Sequence, residues 1–275
     1  MALTDKLTAI GDAIRAKTGG TAKLSLTEMV TEIGNIETGG GSGGDADASF
    51  IAYIESDKGA GITELPSGLT SIGNSAFYYC SSLALTSLPS GLTSIGASAF
   101  YGCSSLALTS LPDGVTLIRG MTFESCSSLA LTSLPSGLTG IWYNAFRNCT
   151  KLALTSLPSG VTSIDNYAFQ NCSSLTLASL PSGLTSIGTS AFGGCSSLAL
   201  TSLPSGLTSI GNSAFSNCTG LTSLTFKGTP TSISSSAFKN CTNLTEIKVP
   251  WAEGAVANAP WGATNATITY NYTGD

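Results

Sequence analysis

Apolar residues recur along most of this chain at a fixed interval of 23. Phe77, Phe100, Phe123, Phe146, Phe169, Phe192, Phe215 and Phe238 keep that step, and so do the eight cysteines from Cys80 to Cys241. Ile keeps it from Ile72 to Ile233. A constant period in the range of about 20–50 residues marks one supersecondary unit stacked on copies of itself, a solenoid. Such a body offers a long surface for contact and few enclosed pockets for chemistry. The first question for this chain is therefore what it touches.

One unit reads Cys80-Ser-Ser-Leu83-Ala-Leu85-Thr-Ser-Leu88-Pro89-Ser-Gly91-Leu92-Thr-Ser-Ile95 and closes on Ala99-Phe100. Its Leu, Ile, Ala, Phe and Cys columns must point inward, because only stacking buries them continuously. Pro-Ser-Gly is a turn signal after a short strand, and proline there cannot donate to a ladder. With each coil adding about 4.7–4.9 Å, eight units make a rod roughly 40 Å long.

Outside the repeat the pattern changes. Leu3, Leu7, Ile10 and Ile14 recur at three- and four-residue steps and predict a helix closed by Gly19-Gly20. Ser25-Leu26-Thr27-Glu28 has the capping-box arrangement, and Met29, Ile33 and Ile36 continue an apolar stripe from it. Residues 1–38 thus read as a small α-helical N-terminal module. It buries too little to be stable alone, so it is expected to pack on copies of itself or on a partner, a decorative hairpin being the alternative. Residues 39–49, GGGSGGDADAS, form a flexible linker by composition. Residues 50–248 hold the solenoid, opened by an apolar strand from Phe50 to Ile54 that caps the first coil. Residues 249–275 break the period; Ile268, Tyr270 and Tyr272 alternate like a half-buried terminal strand, which suits a C-terminal cap.

The unit Cys195-Ser-Ser-Leu198, Leu203-Pro204, Leu207-Thr-Ser-Ile210 and Ala214-Phe215-Ser-Asn-Cys218 resembles the BspA-like leucine-rich-repeat family, over about residues 62–248. The resemblance implies a leucine-rich-repeat solenoid with short β-strands. One departure stands out. Most copies read Leu-Ala-Leu-Thr-Ser-Leu, whereas the family's strand has apolar residues at the third, sixth and eighth positions after Cys. A late copy with Leu221, Leu224 and Phe226 restores that pattern. The head, Leu3 to Ile10, through Lys17-Thr-Gly-Gly, to Leu26-Thr-Glu-Met29, is similar to a short N-terminal module of tail and other structural proteins of phages and prophages of Gram-positive bacteria. The end, Val249-Pro-Trp-Ala-Glu-Gly through Ala259-Pro-Trp-Gly to Tyr270-Asn-Tyr, is similar to the terminus of repeat proteins encoded beside such modules. Both resemblances imply a virion-associated protein.

Composition narrows the field further. Charged residues make up 10% of the chain, against about 25% in an ordinary soluble domain. Serine and threonine occupy the surface positions instead. A net charge of −5 argues against a nucleic-acid backbone or an anionic membrane as partner, and no run reaches the roughly 18 apolar residues of a membrane span. Residues 1–6 lack the charged-then-apolar order of a secretory signal. Histidine is absent, which removes Ser-His-Asp and Cys-His pairs and every histidine metal site. The glycine-rich segment at 39–44 lacks the Lys-Ser/Thr of a phosphate loop. No catalytic residue, no metal site and no cofactor is expected. In-register cysteines would stand about 4.8 Å apart at Cβ, beyond the reach of a disulfide, and a column cannot surround one metal ion. Buried unpaired thiols are the expectation. Asn148-Cys-Thr and Asn217-Cys-Thr overlap that column and are read as structural rather than glycosylated.

The useful positions are those where the repeats disagree. The residue after the Ile column is Gly73, Gly96, Arg119, Trp142, Asp165, Gly188, Gly211 and Ser234; the residue after Phe is Tyr78, Tyr101, Glu124, Arg147, Gln170, Gly193, Ser216 and Lys239. Units three to five carry large or charged groups, and Tyr143 and Tyr167 fall in the same stretch. Adjacent columns would bring Arg119, Glu124, Trp142, Tyr143, Arg147 and Tyr167 into one surface area with the makeup of a recognition patch. Drift at tolerant exposed positions is the alternative. The expectation is a non-enzymatic, tail-fibre-like phage structural protein, assembled in the host cytoplasm. It would join virion proteins through residues 1–38 and present the solenoid to a host-cell surface protein or glycan, as a homo-oligomer. A bacterial surface or secreted BspA-like adhesin is the alternative.

Overall fold

A computed structural model describes Ile62, Glu64, Leu65 and residues 67–274. The expected N-terminal helices, the linker at 39–49 and the strand from Phe50 to Ile54 lie outside the described residues.

Beyond them the chain winds into coils of 23 residues, and each coil lays down a two-residue strand ending on the repeat's Ile. These are β1 (Ser71–Ile72), β2 (Ser94–Ile95), β3 (Leu117–Ile118), β4 (Gly140–Ile141), β5 (Ser163–Ile164), β6 (Ser186–Ile187), β8 (Ser209–Ile210) and β10 (Ser232–Ile233). They pair in parallel, Ile upon Ile, as a two-stranded sheet β1-β2 and a six-stranded sheet in the order β10-β8-β6-β5-β4-β3. The leucine-rich-repeat solenoid expected from the sequence is the fold.

Among the described residues a further, four-stranded sheet appears toward the C-terminus, where β7 (Ser202–Leu203), β9 (Ser223–Phe226), β11 (Glu246–Lys248) and β12 (Thr267–Thr269) run in the order β12-β11-β9-β7. The spacing of leucines explains the difference. Leu224 and Phe226 are two apart, so both face inward from an extended strand. In earlier coils the inward residues are three apart, as at Leu85 and Leu88, with Thr86 and Ser87 both exposed between them. A period-two strand cannot do that. Those coils are linked here through single bonds, such as Ala107 N–H to Leu85 O at 3.0 Å and Ala130 N–H to Leu108 O at 3.2 Å.

The phenylalanine corner of each coil turns through two left-handed residues. Ser75, Ser98, Met121, Asn144, Tyr167, Ser190 and Ser213 form one such column, with φ of 49–60°. The residue before each Cys forms the other, occupied by Tyr79, Gly102, Ser125, Asn148, Asn171, Gly194, Asn217 and Asn240. Asn and Gly tolerate this region best, which accounts for the recurring Asn-Cys dipeptides. The asparagines also bond along the column, Asn171 Nδ2 to Asn148 Oδ1 at 2.9 Å and Asn240 Nδ2 to Asn217 Oδ1 at 3.1 Å.

Inside the corner the eight Phe rings stack face to face, with centroids 5.0–5.5 Å apart. All eight cysteines are buried and none forms a disulfide. From Cys103 to Cys241 each thiol donates to the carbonyl of the Phe 26 residues earlier, at 3.0 Å. Burial pushes the thiols up, Cys195 to about 12 and Cys241 to about 11. Residues 249–274 close the far end. Trp261 is fully buried beside Phe226 and Trp251, and its carbonyl accepts the Phe238 N–H that a ninth coil would otherwise engage.

Candidate recognition site

The column that follows Ile is where backbone meets backbone between coils. A Cβ added at Gly96 would lie 2.4 Å from Asn74 N, and one at Gly211 would lie 2.7 Å from Gly188 C. Glycine there lets coils approach closely, and the ladder bonds Gly96 N–H to Ile72 O, Gly188 N–H to Ile164 O and Gly211 N–H to Ile187 O are all 2.8 Å. At Trp142 and Ser234 the ladder holds, with their N–H groups 3.0 Å from Ile118 O and Ile210 O, but at Arg119 and Asp165 it loosens. At Arg119 the sheet breaks, β2 and β3 belonging to different sheets. At Asp165 the bond from its N–H to Ile141 O stretches to 3.4 Å, and β4 and β5 retain only the Ile141–Ile164 pair.

Arg119, Trp142 and Asp165, with their neighbours, line the outer surface. The Arg119 guanidinium sits 5.7 Å from the centre of the Trp142 ring, a cation–π contact. Tyr143 lies over Gly120, whose missing side chain makes room for the ring: a Cβ there would fall on the phenol. Trp142 and Tyr143 are 41% and 43% exposed. On the side of Trp142 toward later coils a groove opens, about 550 Å³ in volume, walled by Trp142, Asp165 and Asn166 and floored by the Ser–Ile strands as far as Ser232.

The other expected site residues form a separate group: Glu124 and Arg147 follow the Phe column, and Tyr167 stands two residues before Phe169. Glu124 is buried, so it presents no face to a ligand; Arg147 takes Oε1 at 3.3 Å and Asn144 Nδ2 takes Oε2 at 2.9 Å. Arg147 also donates to Gln170 Oε1 at 2.8 Å and lies 5.9 Å from the centre of the Tyr167 ring. Glu124 is thus committed to Arg147, whose side chain is still 39% exposed, and Tyr167 beside it is 37% exposed. Asn144, next to Tyr143 in the chain, is the bridge between the two sets.

Sequence reasoning missed a third cluster. Tyr78 and Tyr101 stack at 4.9 Å, and Tyr79 packs edge-on to both. A hydrogen bond with Tyr79, burial and the Glu124 carboxylate push the Tyr101 hydroxyl up to about 12. The doubled Tyr78-Tyr79 was the legible signal: two adjacent aromatics cannot both enter the core.

A family model for the BspA type leucine-rich repeat region, in six copies, matches residues 61–176 and 162–255. The chain belongs to the BspA-type leucine-rich-repeat family. No curated protein matches this BspA-type chain. Among solved structures it is similar to a leucine-rich repeat protein of Bacteroides ovatus, at 24% identity over 73% of this chain, with a TM-score of 0.46. This chain spans 64% of that protein's length. It is similar also to a T. pallidum leucine-rich repeat protein, at 29% identity over 70% of this chain and 72% of that one, with a TM-score of 0.36. A leucine-rich cell surface protein of Faecalibacterium prausnitzii matches at 24% identity over 70% of this chain and 79% of that one, TM-score 0.31.

Proposed function

We propose that this BspA-type protein is a non-enzymatic recognition protein that presents its solenoid to a host-cell surface through the face around Trp142. The observation that carries the reading is the loosened ladder. Arg119, Trp142 and Asp165 occupy three successive coils at a position where glycine packs more closely; the sheet breaks at Arg119 and thins at Asp165, while the Trp142 N–H between them keeps its bond to Ile118 O at 3.0 Å. A lost ladder hydrogen bond costs about 0.5–1.5 kcal/mol. Side chains held at such a cost on an exposed face fit a surface with a task, whereas drift among indifferent positions would leave the ladder intact. The test is binding of the full chain to host cells, measured by flow cytometry, for Trp142→Ala combined with Asp165→Ala. Arg147 is left in place because it neutralises buried Glu124. Binding is expected to fall while the melting temperature holds; unchanged binding would refute the assignment.

In the leading form of this reading the carrier is a tail-fibre-like phage structural protein. The similarity of the segment Leu3–Met29 to a module of phage and prophage structural proteins, and of Val249–Tyr272 to the terminus of repeat proteins encoded beside such modules, supports it. A bacterial surface adhesin would share the family and the recognition face. Immunogold labelling separates the two, since a tail-fibre protein decorates purified particles and an adhesin decorates the cell envelope.

A further inference from the structure

We propose that the groove beside Trp142 binds a neutral glycan chain laid along the solenoid axis, with Trp142 stacked on its terminal sugar. The inference rests on the recognition reading above and names the ligand class of that face. Along the groove floor, Ser163, Ser186, Ser209 and Ser232 stand one per coil. Their hydroxyls engage no partner among the described residues. The adjacent column behaves differently: Thr185, Thr208 and Thr231 each donate their hydroxyl to the carbonyl of the Thr one coil earlier, at 2.9–3.0 Å. One hydroxyl row is consumed by the fold, and the other is left free at the bottom of a groove.

The free row repeats at the strand spacing, about 4.7–4.9 Å, whereas an extended peptide advances about 3.3 Å per residue. A peptide therefore falls out of register with the serines within two coils. Successive pyranose rings, each carrying several hydroxyls, advance by nearly the coil step and can meet each serine in turn. The wall supplies the two other parts of sugar recognition. Arg119 of the preceding coil covers Trp142 from one side while the groove lies among the following coils, so the ring is held as a stacking platform. Asp165 spends one carboxylate oxygen on Asn166 N–H at 2.7 Å, and Asn166 spends its carbonyl on Thr189 N–H at 2.7 Å. The second Asp165 oxygen and the Asn166 amide nitrogen remain as an acceptor and a donor for paired hydroxyls. Asp165 is the only charged residue lining the groove, in a chain of net charge −5, so an uncharged ligand fits and an acidic one is repelled.

The experiment applies the full chain to an array of neutral and of sialylated or sulfated oligosaccharides one to six units long, and then titrates the hits. Trp251 and Trp261 are buried, so a fluorescence change on binding reports Trp142. Binding is expected to neutral oligosaccharides, to strengthen with length across the four-serine floor, and to weaken about tenfold in Trp142→Ala and in Ser209→Tyr, which fills the floor. Trp142→Phe retains most of it, and Lys239→Ala, outside the groove, retains all. Melting temperatures identify any variant that fails to fold. Binding confined to acidic glycans, binding indifferent to these variants, or no binding across the array overturns the proposal. Cell binding that persists in Ser209→Tyr would overturn it while leaving the broader recognition reading intact.

Discussion

The stacked rings set a sharp expectation for Phe169→Ala. Phe169 is fully buried, with its ring 5.5 Å from Phe146 and 5.4 Å from Phe192, both nearly parallel to it. Truncating a buried Phe to Ala costs about 3–5 kcal/mol. Two stacked contacts, at about 0.5–1.5 kcal/mol each, lie within that figure. Because each coil touches only its neighbours, the loss falls on one junction in the middle of the rod. With a urea slope of about 1–3 kcal/mol/M, the midpoint should drop by at least roughly 1 M, and the halves on either side should begin to unfold separately. Urea titration of the Trp142→Phe background, followed by far-UV circular dichroism and by the fluorescence of Trp251 and Trp261, checks this. The fluorescence reports the C-terminal end, so the two curves should coincide before the Phe169 change and separate after it. Leu134→Ala, at a half-buried position, is the control and should cost less than about 1.5 kcal/mol. A loss below about 1 kcal/mol for Phe169→Ala, with coincident curves, would show that the ring column is not the axis of cohesion.

Three more expectations follow from the same geometry. Thiol titration should find eight free thiols after denaturation and very slow reaction before it, whereas four disulfides would contradict the buried column. The folded thiols are held neutral, up to about 11 for Cys241 and about 12 for Cys195, against an ordinary value near 9. Their contribution to stability is therefore complete below pH 9 and is lost as pH rises from there through 11–12, visible as a falling melting temperature in that window. Gly188→Ala places a Cβ 2.6 Å from Asn166 N and should destabilise by about 1–3 kcal/mol, while Gly137→Ala meets nothing within 4 Å and should be neutral or slightly stabilising. Equal effects in a denaturation comparison would remove the close-approach account of the glycine column.

The 23-residue step carried most of the fold, because columns of Phe, Cys and Ile can be buried only by stacking, whatever the detailed path of the coil. It also pointed to the disagreement at Arg119, Trp142 and Asp165, since a break in a periodic column is visible without coordinates. The absence of a second sheet in the early coils was foreshadowed by the three-residue gap between Leu85 and Leu88. Other features had no signal of their own in the letters. Glu124 and Trp142 look alike in a list of divergent positions, yet one carboxylate is sealed under Arg147 and Asn144 while the indole stands at a groove. That division depends on which way each corner turns at its left-handed residues, a three-dimensional choice. The same holds for the serine and threonine columns. Composition makes them equivalent surface hydroxyls, and only the geometry of the coil decides that Thr185, Thr208 and Thr231 bond to the backbone of the preceding coil while Ser163, Ser186, Ser209 and Ser232 do not. Periodicity fixes which residues are inside; the stacking distance and the corner dihedrals decide which of the outside residues remain free to meet a partner.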